Sequence, residues 1–388
     1  MNPFVVPALA LVPFLGAPFR GSLELADRNE VRGGYFGFAD DPTLNFETVP
    51  SLTLGFASHQ SDVTFAYAPR IGLADLQRGI NPAFLHSGFL HAAWRTRSVR
   101  VTFDEYASYG FLNYSAARLP GSAVPGTMRV DPLVRAHVDY EASATAVNVF
   151  YVPVPRVSLR FLASYSVNGG ATESARRVIP LQNGPRLETV LDYALTPTDR
   201  SLTALSFEKS SLSTGYDYLF LQASEGLAHR FSARTRAEVA LGAARVKTSL
   251  PPPFEIAEWN TYMTVSGVVG HQIPFRDMVA FLLRAQYAPA VNRFTGRVSQ
   301  QLQGILNATW QTNPWLVTLE GGLADTLRDE AGALSVVSGL LSLGFRLNRQ
   351  VTFEGGASLA WQKVGGADPL LQKLAFVAVT LRGPTLRF

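Results

Sequence analysis

The residues with the greatest capacity for chemistry are few and scattered. Six histidines are present: His59, His86, His91, His137, His229 and His271. His59, His229 and His271 lie in or beside short polar breaks that read as turns. His137 and Asp139 share one face of an extended segment, and Glu141 follows on the same face. Alternate residues of a straight strand are separated by roughly 7 Å. That is too far for the direct bond of a histidine–carboxylate relay, and no serine is placed to complete a nucleophilic triad. The chain has no cysteine, which excludes disulfides and thiolate metal sites. No metal-ligand spacing, phosphate loop or nucleic-acid module occurs. The reading is a protein without catalysis, cofactor, metal or nucleic-acid partner.

What remains is polar surface arranged in columns. In "RVSQQLQGILNATWQ" one parity reads Arg297, Ser299, Gln301, Gln303, Ile305, Asn307, Thr309 and Gln311. Neutral amides and hydroxyls in such a column suit sugar hydroxyls, which both donate and accept. They equally suit a plain wetted wall. Inward tyrosines such as Tyr262 could stack against a sugar ring. The same class of position carries charge. Arg95, Arg100, Arg135, Arg160 and Arg236 lie on early and middle strands, and Arg284 and Arg346 follow later. The acids are spread along the whole chain: Asp104, Asp139, Glu141, Glu188 and Asp192, then Glu238, Glu258, Glu320 and Glu354. Ion pairs between neighbouring strands are the favoured reading, ahead of a field across a pore. A lumen this mixed predicts no strong preference for anions or cations.

The elements that carry these columns repeat with a period of two. In "RVSLRFLASYSVNGG" the parity Val157, Leu159, Phe161, Ala163, Tyr165, Val167 opposes Ser158, Arg160, Leu162, Ser164, Ser166. "EWNTYMTVSGVVG" and "VTFEGGASLAWQK" alternate in the same way. Short breaks such as 58–61, 95–98, 153–156, 197–200, 311–314 and 347–350 alternate with variable, often longer ones, including 37–47, 70–83, 108–130, 168–185 and 209–214. This asymmetry fits an antiparallel transmembrane barrel with tight turns at one rim and loops at the other. The count is about 18 strands, or about 16 if one weak pair is lost, and it must be even if both ends lie on one side.

Composition points the same way. Charged residues make up only 16% of 388 residues, against 47% apolar, and the net charge is +4 with the signs interspersed. No window reads as a membrane helix, because Pro3, Pro7, Pro13 and Pro18 interrupt the one long uncharged run. Residues 1–21 read as an apolar Pro-rich lead-in or signal remnant, and 22–388 as the barrel. No room is left ahead of the strands for a plug domain. All five tryptophans, Trp94, Trp259, Trp310, Trp315 and Trp361, fall on the apolar parity near strand ends. An amphipathic ring is favoured there, at the headgroup level. The loops 108–130 and 168–185 are the segments long enough to fold inward and narrow a pore.

The last sixteen residues, "KLAFVAVTLRGPTLRF", resemble the assembly signal of bacterial outer-membrane β-barrel proteins. Gly383, Leu386 and the aromatic Phe388 have the spacing of that signal, while Leu381 and Pro384 depart from it. The resemblance implies a Gram-negative outer membrane, contact with its lipid, and recognition by the barrel assembly machinery. It also implies that this stretch closes the barrel against the strand near Leu23–Phe36, with pairing weakened at Pro384. In size, bare barrel and lack of a plug, the chain resembles the barrel component of exopolysaccharide export systems. That implies a channel for hydrophilic solute or secreted polysaccharide, with a periplasmic export protein as partner. A hydrophobe transporter, or a surface structural barrel with no transport role, is the alternative.

Overall fold

β-branched and aromatic residues on one parity, with small or polar residues on the other, favour a pleated sheet with two unlike faces. The computed structural model describes residues 20–35, 42–74, 76, 81–113, 137–249, 257–273, 278–293, 295–326, 334–364 and 368–388. Most of the lead-in and Arg135 lie outside them. The strands are β1 (Arg20–Tyr35), β2 (Thr43–Ala57), β3 (Ser61–Tyr67), β4 (Arg70–Ala74), β5 (Asn81–Arg95), β6 (Val99–Asn113) and β7 (His137–Val154). After them come β8 (Val157–Gly170), β9 (Gln182–Ala194), β10 (Asp199–Leu212), β11 (Asp217–Arg230), β12 (Thr235–Ser249) and β13 (Ala257–Ile273). The last are β14 (Met278–Val291), β15 (Val298–Thr312), β16 (Trp315–Thr326), β17 (Leu334–Arg346), β18 (Val351–Val364), β19 (Leu370–Arg382) and β20 (Leu386–Arg387).

Successive strands pair antiparallel, and β1 pairs with β2 on one side and with β19 and β20 on the other, so the sheet has no free edge. The pairs β3–β4 and β19–β20 are halves of single staves. The described residues therefore form a closed wall of eighteen staves, as the period-two runs predict. The break between β3 and β4 has a local cause. Leu52 faces Tyr67 and Thr48 faces Ile71 in one continuous register, which sets Pro50 against Pro69. Neither proline has an N–H to give the ladder. An outer-wall cavity of about 590 Å³ opens there, lined in part by Leu25, Pro50, Tyr67 and Pro69. The variable break expected at 70–83 is accordingly shorter, because β4 continues the stave to Ala74.

One parity faces outward all round the wall. It carries exposed Leu25, Phe56, Phe161, Leu241, Met263, Leu341 and Val377, together with all five tryptophans. Trp94, Trp310 and Trp315 lie near the short-turn rim, and Trp259 and Trp361 near the loop rim. The Arg245 guanidinium sits 5.0 Å from the Trp259 ring centroid, a cation–π contact suited to the headgroup level. Several polar side chains on this parity are satisfied by neighbours. Asp27 accepts from Asn29 at 2.8 Å and from Thr48 at 2.9 Å, and Glu225 accepts from Ser201 and Thr203 at 2.6 Å each. In lipid such internal partners are obligatory.

The seam closes as the sequence predicts, and the prolyl residue has a defined effect. Ala26 faces Arg382 and Tyr35 faces Lys373, but Leu23 faces Leu386, a register one residue further on. The extra residue lies in Gly383–Pro384–Thr385, a bulge that reverses parity. Leu381 and, beyond the bulge, Leu386 thus both face outward. Phe388 pairs with Gly21 through backbone bonds of 2.7 and 3.1 Å, and its ring meets Phe56 edge-on at 6.3 Å. A side chain at Gly21 would collide with that ring.

Candidate functional site

The inner face is built from the opposite parity, and several of its charges are matched across strands. Arg160 on β8 donates to Glu188 on β9 at 2.8 Å, and Arg186 holds the other oxygen of Glu188 at 2.8 Å. Arg200 donates to Asp192 at 2.7 Å. Asp104 accepts from His91 at 2.6 Å, and Asp62 lies 3.5 Å from the other ring nitrogen. Glu354 accepts from Arg28 at 2.5 Å.

The densest charge cluster was not legible as a site in the sequence. Glu30 on β1 is 7% exposed at its side chain and accepts from Arg28 at 2.9 Å and from Arg32 through Nε at 2.8 Å. Glu47 on β2 continues the cluster to Arg70 on β4 at 3.2 Å. The alternation Arg28-x-Glu30-x-Arg32 could have signalled it, since three charges at a spacing of two share one face. Glu30→Ala leaves Arg28 with Glu354 alone and takes from Arg32 the carboxylate it donates to, and it should destabilise the barrel by about 1–3 kcal/mol. Urea titration in detergent reads this as a lowered midpoint, and an unchanged midpoint would mean that solvent already carries these charges.

The remaining positions divide by register. Arg95, Arg100, Arg236, Glu238 and Arg284 lie on the inward parity, as do Tyr262, Gln301, Gln303, Glu320 and Arg346. Glu258 takes the inward register position on β13. Arg297 lies in the 292–297 turn at the loop rim, where its backbone carbonyl accepts from Asn292. Asp139 and Glu141 correct the expectation of a lumen position. They face Phe111 and Tyr109, both on the outward parity.

The reason for the reversal is a helix, α1 (Glu173–Val178), between β8 and β9. Thr172 caps it by accepting from the Ala175 amide at 3.3 Å, Glu173 opens it, and Arg176 and Arg177 close it in accord with the helix dipole. Ala175 and Ile179 pack on Leu85, Val138, Tyr140 and Ala142, all on the inner face. A small apolar core thus sits inside the barrel near its loop rim. There the inward residues of β7 are apolar and the charged ones turn out. Arg176 approaches Glu141 at 3.6 Å.

A second segment crosses the same mouth. In the 292–297 turn, Arg293 donates to Asn168 of β8 at 3.3 Å and accepts from Thr214 through its carbonyl at 3.2 Å. Tyr216 packs against Gly296, which adopts φ +64°. The mouth at the loop rim is therefore narrowed from two sides. Below it, the amide column forms a continuous chain. Gln286 donates to Gln303 at 3.2 Å, Gln303 to Gln301 at 3.1 Å, and Gln301 to Thr326 at 3.3 Å.

A closed antiparallel wall with an apolar outer belt, tryptophans near both rims and a polar lumen defines a multi-pass channel of the Gram-negative outer membrane. Such a channel passes hydrophilic solute passively. Residues 40–370 match the EpsX exopolysaccharide export family, and the chain belongs to that family. No curated protein sequence matches it. Among solved structures it is similar to the outer-membrane protein OpdK from Pseudomonas aeruginosa, at 12% identity, TM-score 0.47, over 94% of this chain and 99% of that one. It is also similar to OccK2 (OpdF) of Pseudomonas aeruginosa, solved in complex with glucuronate, at 11% identity, TM-score 0.47, over 93% and 98%. OccAB3 of Acinetobacter baumannii is similar at 10% identity, TM-score 0.42, over 95% and 99%.

Proposed function

We propose that the barrel is the conduit through which a secreted polysaccharide crosses the outer membrane. A periplasmic export protein with no membrane span of its own delivers the chain to the short-turn rim. The observation that carries this reading is the amide chain Gln286–Gln303–Gln301–Thr326. Amides bonded to one another can exchange those bonds for sugar hydroxyls at little net cost, since donor and acceptor counts are preserved. Family membership supports the same reading. In it, residues 22–388 are the barrel behind the lead-in of 1–21, and Gly383, Leu386 and Phe388 are the segment that the assembly machinery engages.

Deleting the gene is expected to remove surface polysaccharide while polymer accumulates in the periplasm. Normal surface polysaccharide in the deletion strain would refute export. Co-purification of a periplasmic export protein with the barrel would support the partner.

A further inference from the structure

The lumen is mixed in charge as a whole, but its charge is graded along the axis. At the short-turn rim, Arg95 faces Arg100 directly across β5 and β6, and Arg230 faces Arg236 directly across β11 and β12. Like charges directly opposite each other destabilise a sheet, and this wall holds two such pairs at the same rim. Arg346 and Arg382 stand at the same level on β17 and β19. All six side chains take the inward parity and are exposed. Arg230 donates to the Pro197 carbonyl at 3.0 Å. Arg95, Arg100, Arg236, Arg346 and Arg382 have no carboxylate partner among the described residues. The inward acids near this rim are mostly engaged elsewhere: Asp192 by Arg200, Glu188 by Arg160 and Arg186, Asp104 by His91. Glu238 lies deeper than the arginine tier, and Glu24 lies on the rim side of Ala26, the residue that Arg382 faces.

We infer that this arginine tier is a binding collar for an anionic polysaccharide, one bearing carboxylate groups such as uronates, as it enters the lumen from the periplasm. Guanidinium forks match carboxylates bidentately and remain charged at all relevant pH. Unpaired arginines around a water-accessible ring raise the local concentration of a polyanion and orient its approach. The inward parity of these side chains favours a ligand that passes through the ring. A docked protein would meet the turns instead. The inference rests on the export reading and narrows it to a charged polymer.

The test uses the purified full chain in detergent and in planar bilayers, with galacturonic acid hexamer as probe and maltohexaose as neutral control. The hexamer is expected to bind in low salt, at least about tenfold more tightly than maltohexaose, and to lose that advantage in high salt as screening lengths shrink. The combined variant R95Q/R100Q/R236Q/R346Q should bind the hexamer about tenfold more weakly. In a salt gradient it should also lose the anion selectivity expected of the parent. Arg200→Gln and Arg160→Gln, which break pairs already satisfied, serve as matched controls and should change binding less. Equal binding of hexamer and maltohexaose, or an unaltered quadruple variant that is folded by gel mobility, would overturn the collar while leaving export of a neutral polymer intact. Binding of an acidic periplasmic protein that the quadruple variant loses, with no binding of the hexamer, would reassign the tier to protein docking. Loss of surface polysaccharide on gene deletion is read separately, so failure of export and failure of the collar give different results.

Discussion

Gly34→Val is expected to abolish most of the closed barrel. Gly34 lies on β1 at the seam, opposite Leu374 of β19, with φ +143°. A β-carbon there would collide with the carbonyl oxygen of Lys373, which is backbone and cannot swing away. The residue thus needs both a dihedral that side chains rarely adopt and close backbone approach. Each requirement alone costs about 1–3 kcal/mol, and valine cannot relieve either one. At the seam this strain opposes the one pairing that turns a sheet into a barrel. The heat-modifiable folded band on a gel should fall at least about tenfold in the outer-membrane fraction. Gly33→Ala is the control, because its β-carbon would meet the tip of the Leu44 side chain at 3.3 Å and stay in ordinary contact with the Thr43 carbonyl at 3.7 Å. Equal folded yield for Gly34→Val would show that the upper seam need not pair.

Replacing residues 171–180 by a two-glycine link is expected to open the mouth at the loop rim. The helix α1 and Ile179 fill lumen space against Leu85, Val138, Tyr140 and Ala142, so their removal widens the path on that side. The backbone ladder of β8 with β9 does not pass through the helix, and it should survive. Single-channel conductance should rise by about twofold or more, since current is set by the narrowest section. The variant also exposes an apolar patch to water and should lose some thermal stability. Unchanged conductance in a folded variant would place the constriction elsewhere, with the 292–297 turn the next segment to shorten.

The closed wall was legible because lipid and lumen impose opposite polarity on alternate residues over long stretches. Trp259, Trp310 and Trp361 mark the outward parity in the sequence itself, and Pro384 marks where pairing falters. The same rule failed where its physical basis failed. Beside α1 the inner face is an apolar core, so Asp139 and Glu141 point out and Val138 and Tyr140 point in. A sequence pattern cannot register a helix that folds back from a loop 30 residues later. The charged cluster of Arg28, Glu30 and Arg32 is obscured in the sequence because the first strand has Asp27 and Asn29 on its outward parity, which blurs the alternation. Outward polar residues such as Glu225 are acceptable only because Ser201 and Thr203 reach them, a fact of register. The charge gradient is hidden in the sequence for another reason. It follows from each arginine's distance to the nearest short turn, a quantity that position along the chain does not carry.

The extra residue in Gly383–Pro384–Thr385 makes the closing stave behave like a reading frame. Upstream of it, odd-numbered residues meet lipid; downstream, even-numbered ones do. The bulge absorbs that extra residue, so removing Pro384 alone would make the ladder continuous while leaving Leu386 and Phe388 facing outward and Arg387 inward. An insertion or deletion elsewhere in this stave, with no bulge to take it up, would instead be a frameshift in space, harmless in composition and disruptive in phase, whereas the same changes in the loop rim leave the phase untouched.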